Sequence, residues 1–130
     1  MTDKIERRQS TPALRNFSAG LIVLAELSPR QLTAAQLAFF LTAGLADRAG
    51  RASTFTDLKD AVGPTVNRSL HTTYKVFLKE GRVRDGDRVT GLGWLKADLD
   101  PLDHRRKFLR LTNAGQRVID EVAAAITYGE

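Results

Sequence analysis

Five polar side chains within residues 65–80 have the types that hydrogen-bonding recognition requires: Asn67, Arg68, His71, Thr72 and Lys75. In a helix, these intervals place them roughly on one side. The guanidinium of Arg68 can bond both acceptors of a guanine edge, and the amide of Asn67 suits an adenine. The ammonium group of Lys75 is better suited to a phosphate. The pattern predicts contact with the bases and phosphates of a nucleic acid.

A second group of charges lies further along the chain: Asp103, His104, Arg105, Arg106 and Lys107. Arg105 with its neighbour Arg106 could enter a narrow minor groove, whose negative potential attracts guanidinium groups. Asp103 could orient Arg105 through a charge-assisted hydrogen bond. Arg84 and Arg88 add candidate phosphate contacts, and nearby aspartates partly offset their charge.

Each group also has a purely structural explanation. Any solvent-facing side of a helix contains polar residues of these types. A run of charges at a turn can keep a hairpin solvated without binding anything. The presence of both groups in one short chain favours the nucleic-acid interpretation over two unrelated solvated surfaces.

The elements that must position these groups begin with a charged segment. Residues 1–11 lack apolar periodicity, which predicts a flexible arm. From Pro12 to about Leu27, apolar residues recur at spacings of three and four, which predicts a helix with the proline in its first turn. Ile22 and Val23 widen its apolar surface, so this helix fits either burial within one domain or contact with a second subunit.

Two capping boxes predict the starts of the next two helices. Thr33 with Gln36 precedes a helix that runs to about residue 48, and Thr54 with Asp57 precedes a short third helix. Gly63 and the proline after it end the third helix. Residues 65–80 then form a fourth helix, the predicted reading helix, which is followed by a glycine stop.

The remaining chain predicts a hairpin and a last helix. Beyond the reading helix, apolar residues alternate with Gly, Asp and Arg, and residues 107–111 alternate as a strand does. Pro101 favours a turn, so we expect the hairpin tip at residues 100–104. Residues 113–127 carry an apolar stripe, and Thr112 suits the cap of this helix.

This order of elements predicts the fold class. A helix pair joined by a tight turn and followed by a β-hairpin is a winged helix-turn-helix, a mainly α fold with a small hairpin in the α+β class. Residues 12–130 would form a single domain of this kind. The reading helix would lie in the major groove, which is about 12 Å wide and admits one helix.

The hairpin sequence resembles the wing of the MarR family of transcriptional regulators. Asp103 and Arg105 match its Asp-x-Arg pair, and Leu111, Thr112 and Gly115 match the start of the helix that follows. Upstream, LTAAQLAFFL is similar to the family's Leu-Thr-x-x-Gln helix, and FLKEGRV resembles the end of its recognition helix. The resemblance covers most of residues 32–122.

Membership of this family would imply a homodimer built from the N- and C-terminal helices, a palindromic operator and, often, derepression by a small molecule. Two features depart from the family pattern. His104 stands where the wing tip usually has its first arginine, and residues 83–99 are longer than the usual entrance to the wing. The wing could therefore follow a different path.

Composition excludes several classes of protein. A length of 130 residues with 42% hydrophobic content fits one compact domain, and a net charge of +5 favours an anionic partner. The absence of cysteine excludes disulfides and thiolate chemistry, and two histidines do not make a zinc site. No side chain is nominated for catalysis, a metal or a cofactor. A polar N-terminus shows no signal peptide or anchor, so we expect a cytoplasmic protein.

These observations lead to one expected function and one alternative. The first is sequence-specific binding of double-stranded DNA by a dimeric transcriptional regulator that represses by blocking polymerase. The alternative is a winged helix that recognises protein, as an interaction or assembly module without specific DNA binding. An enzyme is not expected.

Overall fold

The computed structural model describes residues 3–29, 31–68, 74–78, 80–82 and 88–128, and it describes residues 3–6, 67, 80–82 and 88–90 by their backbone alone. The Cα positions divide the chain into two compact units. Residues 1–31 with 117–130 form the first unit, and residues 32–116 form the second. The N- and C-terminal helices that were predicted as dimer elements supply the first unit.

Helix α1 spans Asp3–Leu27 and begins nine residues before Pro12, where the sequence predicted its start. The helix therefore includes residues 3–11, most of the segment for which a flexible arm was expected. The charged segment consists mainly of good helix formers, so it can extend a helix whose later, apolar residues are held by packing. The hydroxyls of Ser10 and Thr11 donate to the carbonyl oxygen of Arg7, at 2.9 and 2.8 Å, in the turn before the proline.

Helix α4, Asn113–Tyr128, contributes its later residues to the same unit. Gly20 of α1 lies against it, because a Cβ at that glycine would be 2.7 Å from Ile126 Cγ1 and 3.5 Å from Val122 Cγ1. Leu24 of α1 is buried, whereas Ile22 is 55% exposed. The sequence left two explanations for the wide apolar surface of α1, burial within one domain or contact with a second subunit. Burial within the domain does not account for Ile22, because this residue is mostly exposed.

The second unit begins with α2, Ala34–Arg48, and its predicted capping box is confirmed. The amide of Gln36 donates to Thr33 Oγ1 at 3.1 Å, and the amide of Thr33 donates to Gln36 Oε1 at 2.9 Å. These two bonds satisfy amides that the first helical turn leaves without a partner. The start and the end of this helix are both as predicted.

Helix α3, Phe55–Asn67, also starts with its predicted capping box, formed by Thr54 and Asp57. It is bent at Gly63, whose φ of 86° and ψ of 166° interrupt the helical backbone. A positive φ of this kind favours glycine. Helical backbone resumes at Pro64, which suits a first turn because it has no amide hydrogen to lose. The predicted end of the third helix is confirmed at this bend.

The predicted reading helix is only partly present. Its first residues, 65–67, are helical, and residues 69–73 lie outside the described part of the chain. Tyr74–Phe77 form a 3₁₀-helix, and Glu80 begins a strand. The expectation of one α-helix that continues to Glu80 is therefore wrong from Tyr74 onward.

The physical reason lies in long-range hydrogen bonds. The carbonyl of Val76 accepts from the amide of Leu92 at 2.8 Å, and that of Phe77 accepts from the amide of Trp94 at 2.9 Å. In an α-helix, these carbonyls would bond to amides four residues later. Pairing with the following strands replaces that pattern, and an apolar stripe in the sequence does not reveal it.

The strands form two antiparallel pairs in the described residues: β1 (Glu80–Arg82) with β2 (Arg88–Thr90), and β3 (Leu95–Leu99) with β4 (Lys107–Leu111). The second pair is the predicted hairpin. The first pair was not predicted: its first strand begins at Glu80, the last residue of the segment interpreted as the reading helix. The fold is thus mainly helical with small antiparallel sheets.

Stacked and tilted aromatic rings fill the core of the second unit. Phe40 lies 5.3 Å from Phe77 and 5.0 Å from Trp94, measured between ring centroids, and Phe39 lies 5.6 Å from Phe55. Phe39, Phe40 and Phe77 are fully buried. Trp94 is also buried and packs against Phe40 and Phe77.

Candidate nucleic-acid interface

Strand β4 is joined to the start of α3 by backbone pairing. The amide of Leu109 donates to the carbonyl of Ser53 at 2.9 Å, and Thr54 forms an antiparallel bridge with Phe108. Helix α3 begins at the next residue, Phe55. This pairing holds the first turn of α3 beside the beginning of β4, where the predicted basic residues lie.

The loop between β3 and β4, residues 100–106, is called the tip loop here, and hydrogen bonds within it fix its backbone. The amide of Asp100 donates to the carbonyl of Arg106 at 3.0 Å, which closes the loop. The amide of Leu102 donates to Asp100 Oδ1 at 2.8 Å, and the amide of Arg106 donates to the carbonyl of Asp103 at 2.9 Å. Asp100 itself is buried. The predicted turn at this position is confirmed.

The predicted pairing of Asp103 with Arg105 is also confirmed. Asp103 Oδ1 accepts from the amide of Arg105 at 3.1 Å and from its side-chain Nε at 3.2 Å. The amide bond first and the side-chain bond second lower the pKa of the Asp103 carboxyl, and the charge of Arg106 acts in the same direction. The carboxylate is therefore held in its charged form, in contact with the guanidinium that it orients.

Arg105, Arg106 and Lys107, called the basic triplet here, are exposed in succession. The Arg105 side chain is 92% exposed. The guanidinium carbon of Arg106 lies 5.6 Å from the centroid of the Phe108 ring, within the range of a cation–π contact. The triplet therefore presents three cations to solvent, and two of them have a neighbour that restricts their side chains.

An open cleft of about 460 Å³ lies between the triplet and the first turn of α3. The triplet lines one side of it, and the other side is lined by Thr54, Phe55, Thr56 and Asp57. The carboxylate of Asp57 already accepts from the amide of Thr54 at 3.0 Å. Guanidinium, ammonium and hydroxyl groups at one cleft can hold an anion such as a phosphate.

The structure describes only some of the site residues that were predicted on the reading helix. Arg68 is exposed directly after α3, and Lys75 is exposed within the 3₁₀-helix. The expectation that one α-helix carries both is wrong at Lys75. Of the remaining predicted contacts, Asn67 and Arg88 are described by backbone alone, at the end of α3 and the start of β2, and His71, Thr72 and Arg84 lie outside the described residues.

Sequence reasoning missed Asp47, which holds the far end of β4. Its Oδ2 accepts from the amide of Leu111 at 3.0 Å, and its Oδ1 lies 3.5 Å from Arg110 Nε. An acidic residue in the last turn of a helix opposes the helix dipole. That unfavourable position in α2 was the available signal that Asp47 has a partner elsewhere.

Sequence reasoning also gave no role to Leu102, at the tip of the loop. Its side chain is 95% exposed, and no other large apolar side chain in the described part of the chain exceeds that value. The signal was a leucine between a proline and an aspartate in an otherwise polar turn.

Comparison with protein-family models, with curated proteins and with solved structures found no match for this chain. Within the described residues, no helix has the length and apolar content that crossing a lipid bilayer requires. In the same residues, metal-ligating side chains do not gather in groups of three or more.

Proposed function

We propose that this protein is a sequence-specific double-stranded DNA-binding regulator of transcription, and that it acts as a repressor. The observation that carries the proposal is the basic triplet. Three consecutive cations are exposed where the tip loop, which hydrogen bonds hold in one shape, leads into β4, and they border a cleft beside the start of a helix. Preorganised cations of this kind suit a backbone of phosphates.

The proposed fold is a winged helix-turn-helix with β3, the tip loop and β4 as the wing. Support comes from the order of the elements. After α2, the extended residues Ser53 and Thr54 pair with β4. Helix α3 follows, and a bend at Gly63 leads into new helical backbone. The wing then enters the minor groove, and the segment that begins after the bend approaches the major groove with Arg68.

The proposed kinship with MarR regulators is supported by physical roles for the residues that carry the resemblance. Asp103 orients Arg105. Thr112 Oγ1 accepts from the amide of Gly115 at 3.0 Å and so caps α4. A Cβ at Gly115 would lie 2.0 Å from the carbonyl oxygen of Trp94, so this position requires glycine.

A homodimer on a palindromic operator completes the proposal, with the first unit as the contact between subunits. Three large apolar side chains of α1 support this role because they are more than half exposed: Leu14, Phe17 and Ile22. Burial of such side chains against a second copy would remove them from water. A cytoplasmic location belongs to the same proposal, since a chain without cysteine suits a reducing compartment.

The exposed apolar side chains of α1 also favour a second candidate, a protein-interaction or assembly module. The two candidates differ in what the basic triplet does. A DNA-binding regulator loses affinity for duplexes steeply as salt rises, whereas a module that recognises protein through apolar surface does not.

Selection of bound duplexes from a random pool tests the proposal directly. We expect enrichment of a symmetric site whose half-sites are about one helical turn apart, which reports sequence preference and dimer symmetry together. A variant with Arg105, Arg106 and Lys107 changed to Ala should enrich nothing. The matched control changes three exposed cations elsewhere, Arg15, Arg51 and Arg117, and should enrich the wild-type site. If the duplexes that the wild-type protein retains are as random as the starting pool, the proposal of sequence-specific binding is wrong.

A further inference from the structure

We propose that Leu102 is an apolar wedge that inserts between base pairs from the minor groove and bends the duplex. The proposal rests on the proposed DNA-binding function and adds DNA bending to it. Proteins that bend DNA insert leucine, proline or similar side chains at a base step, unstack it, and gain contact area from the bend.

The exposure of Leu102 is the first observation. Isolated apolar side chains are common on protein surfaces, so the position of Leu102 matters as well as its exposure. Leu102 is 95% exposed, at the far end of a hairpin. A side chain in this position can enter a groove without moving any other part of the protein.

The second observation is that the backbone under Leu102 is already fixed. Its amide donates to Asp100 Oδ1 at 2.8 Å, and Asp100 is buried and closes the loop through Arg106. Pro101, immediately before it, has a restricted φ. A wedge must push base pairs apart, so a tip that is ordered before binding loses less conformational freedom than a mobile one would.

The third observation is the charge beside the wedge. The basic triplet begins three residues after Leu102, and Asp103, which lies between them, is bonded to Arg105. An apolar side chain with cations next to it matches the minor groove, where phosphates flank the edges of stacked bases.

An anionic membrane would use the same chemistry. A single leucine buries far less apolar surface than stable membrane attachment requires, since even one fatty-acyl chain binds membranes only marginally. Unstacking one base step requires one side chain. The observations therefore favour DNA, and membrane binding becomes an outcome of the test.

The test measures bending and affinity together on a duplex of ~30 base pairs, a length over which a bend brings the ends measurably closer. The duplex carries the site enriched by selection, with a donor and an acceptor dye at its ends and 2-aminopurine at the steps that flank the half-sites. With wild-type protein in excess, we expect increased energy transfer and increased 2-aminopurine fluorescence at one step in each half-site.

Three variants isolate the side chain. Leu102→Ala should lose the bend and the 2-aminopurine signal and bind about tenfold more weakly, because the unstacked step is no longer filled. Leu102→Phe should keep both signals. Leu45→Ala, at a leucine that is 66% exposed on α2, is the matched control and should behave as wild type. The thermal unfolding of all three should match wild type, because neither leucine is packed.

Each outcome decides between the proposals. If Leu102→Ala bends the duplex as wild type does, the wedge is wrong and DNA binding stands. If wild-type protein binds no duplex at low salt, DNA binding itself is wrong and the wedge fails with it. Vesicles of phosphatidylserine and phosphatidylcholine, assayed in parallel, should show no binding that depends on Leu102. Such binding without DNA bending would overturn the wedge in favour of a membrane contact.

Discussion

One oxygen of Asp103, Oδ1, accepts hydrogen bonds from both the backbone amide and the side-chain Nε of Arg105, at 3.1 and 3.2 Å. The carboxylate therefore fixes the backbone and the guanidinium of the same residue. Because the Arg105 side chain is 92% exposed, its terminal nitrogens are accessible to an outside partner. The pair presents an oriented cation at the end of the hairpin, and the proposed function depends on it.

Arg105→Ala should weaken binding to the selected duplex by about 1–2 kcal/mol, since it removes charge-assisted hydrogen bonds to DNA. The free energy of unfolding should change by less than about 0.5 kcal/mol, because the side chain is exposed. Titration by fluorescence anisotropy and chemical denaturation measure the two quantities. A large loss of stability would show that Arg105 has a structural role instead.

The pH dependence of the pair has a defined sign. Bonds from Arg105 favour the charged carboxylate, so the folded loop lowers the pKa of Asp103 below its ordinary value. The pairing is complete at pH values above the ordinary carboxyl range and is lost as pH falls through the lowered pKa. A carboxyl ¹³C NMR titration should give a midpoint below that of an unfolded peptide. In Arg105→Ala the midpoint should rise only part of the way, because the amide bond remains. An unchanged midpoint would show that the side-chain bond from Arg105 does not lower the pKa of Asp103.

Arg68 and Lys75 should affect recognition differently. Arg68→Ala should reduce discrimination between the selected site and its single-base variants by about 1–3 kcal/mol, as loss of a bidentate base contact does. Lys75→Ala should weaken all duplexes about equally, since phosphates carry no sequence information. Competition binding with a panel of substituted duplexes separates the two effects. If Arg68→Ala leaves site preference intact, Arg68 does not read a base.

Asp47 should matter for stability. Asp47→Ala leaves the amide of Leu111 without its acceptor, and we expect a loss of about 1–3 kcal/mol in the free energy of unfolding. Arg110→Ala removes only the longer contact of an exposed side chain and should cost less than about 1 kcal/mol. Urea denaturation compares the two. Equal losses would mean that the ion pair, rather than the amide bond, holds β4 to α2.

Local signals in the sequence predicted local structure well. The capping residues Thr33, Thr54 and Thr112 all accept the predicted amide hydrogen bonds, because a cap and its partner lie three residues apart. The bond between Asp103 and Arg105 is equally local. These interactions need no knowledge of the remaining fold.

Long-range pairing accounts for what the sequence could not predict. The reading helix does not continue as an α-helix because the carbonyls of Val76 and Phe77 accept from Leu92 and Trp94, which follow β2. The cleft beside the basic triplet exists because Ser53 bonds to Leu109, which is far away in the sequence. Neither pairing has a signature in the residues themselves, since backbone groups of any residue can form it.

The dependence of duplex affinity on salt, measured for the wild type and for the triplet variant, shows whether the basic triplet contacts the phosphates of DNA. Each cation that contacts a phosphate adds about 0.9 to the slope of log affinity against log salt. We expect a steep slope for the wild type and for the control with Arg15, Arg51 and Arg117 changed to Ala, and a slope shallower by about 2–3 for the variant without Arg105, Arg106 and Lys107. Identical slopes for all three proteins would show that the basic triplet does not contact DNA and would contradict the account.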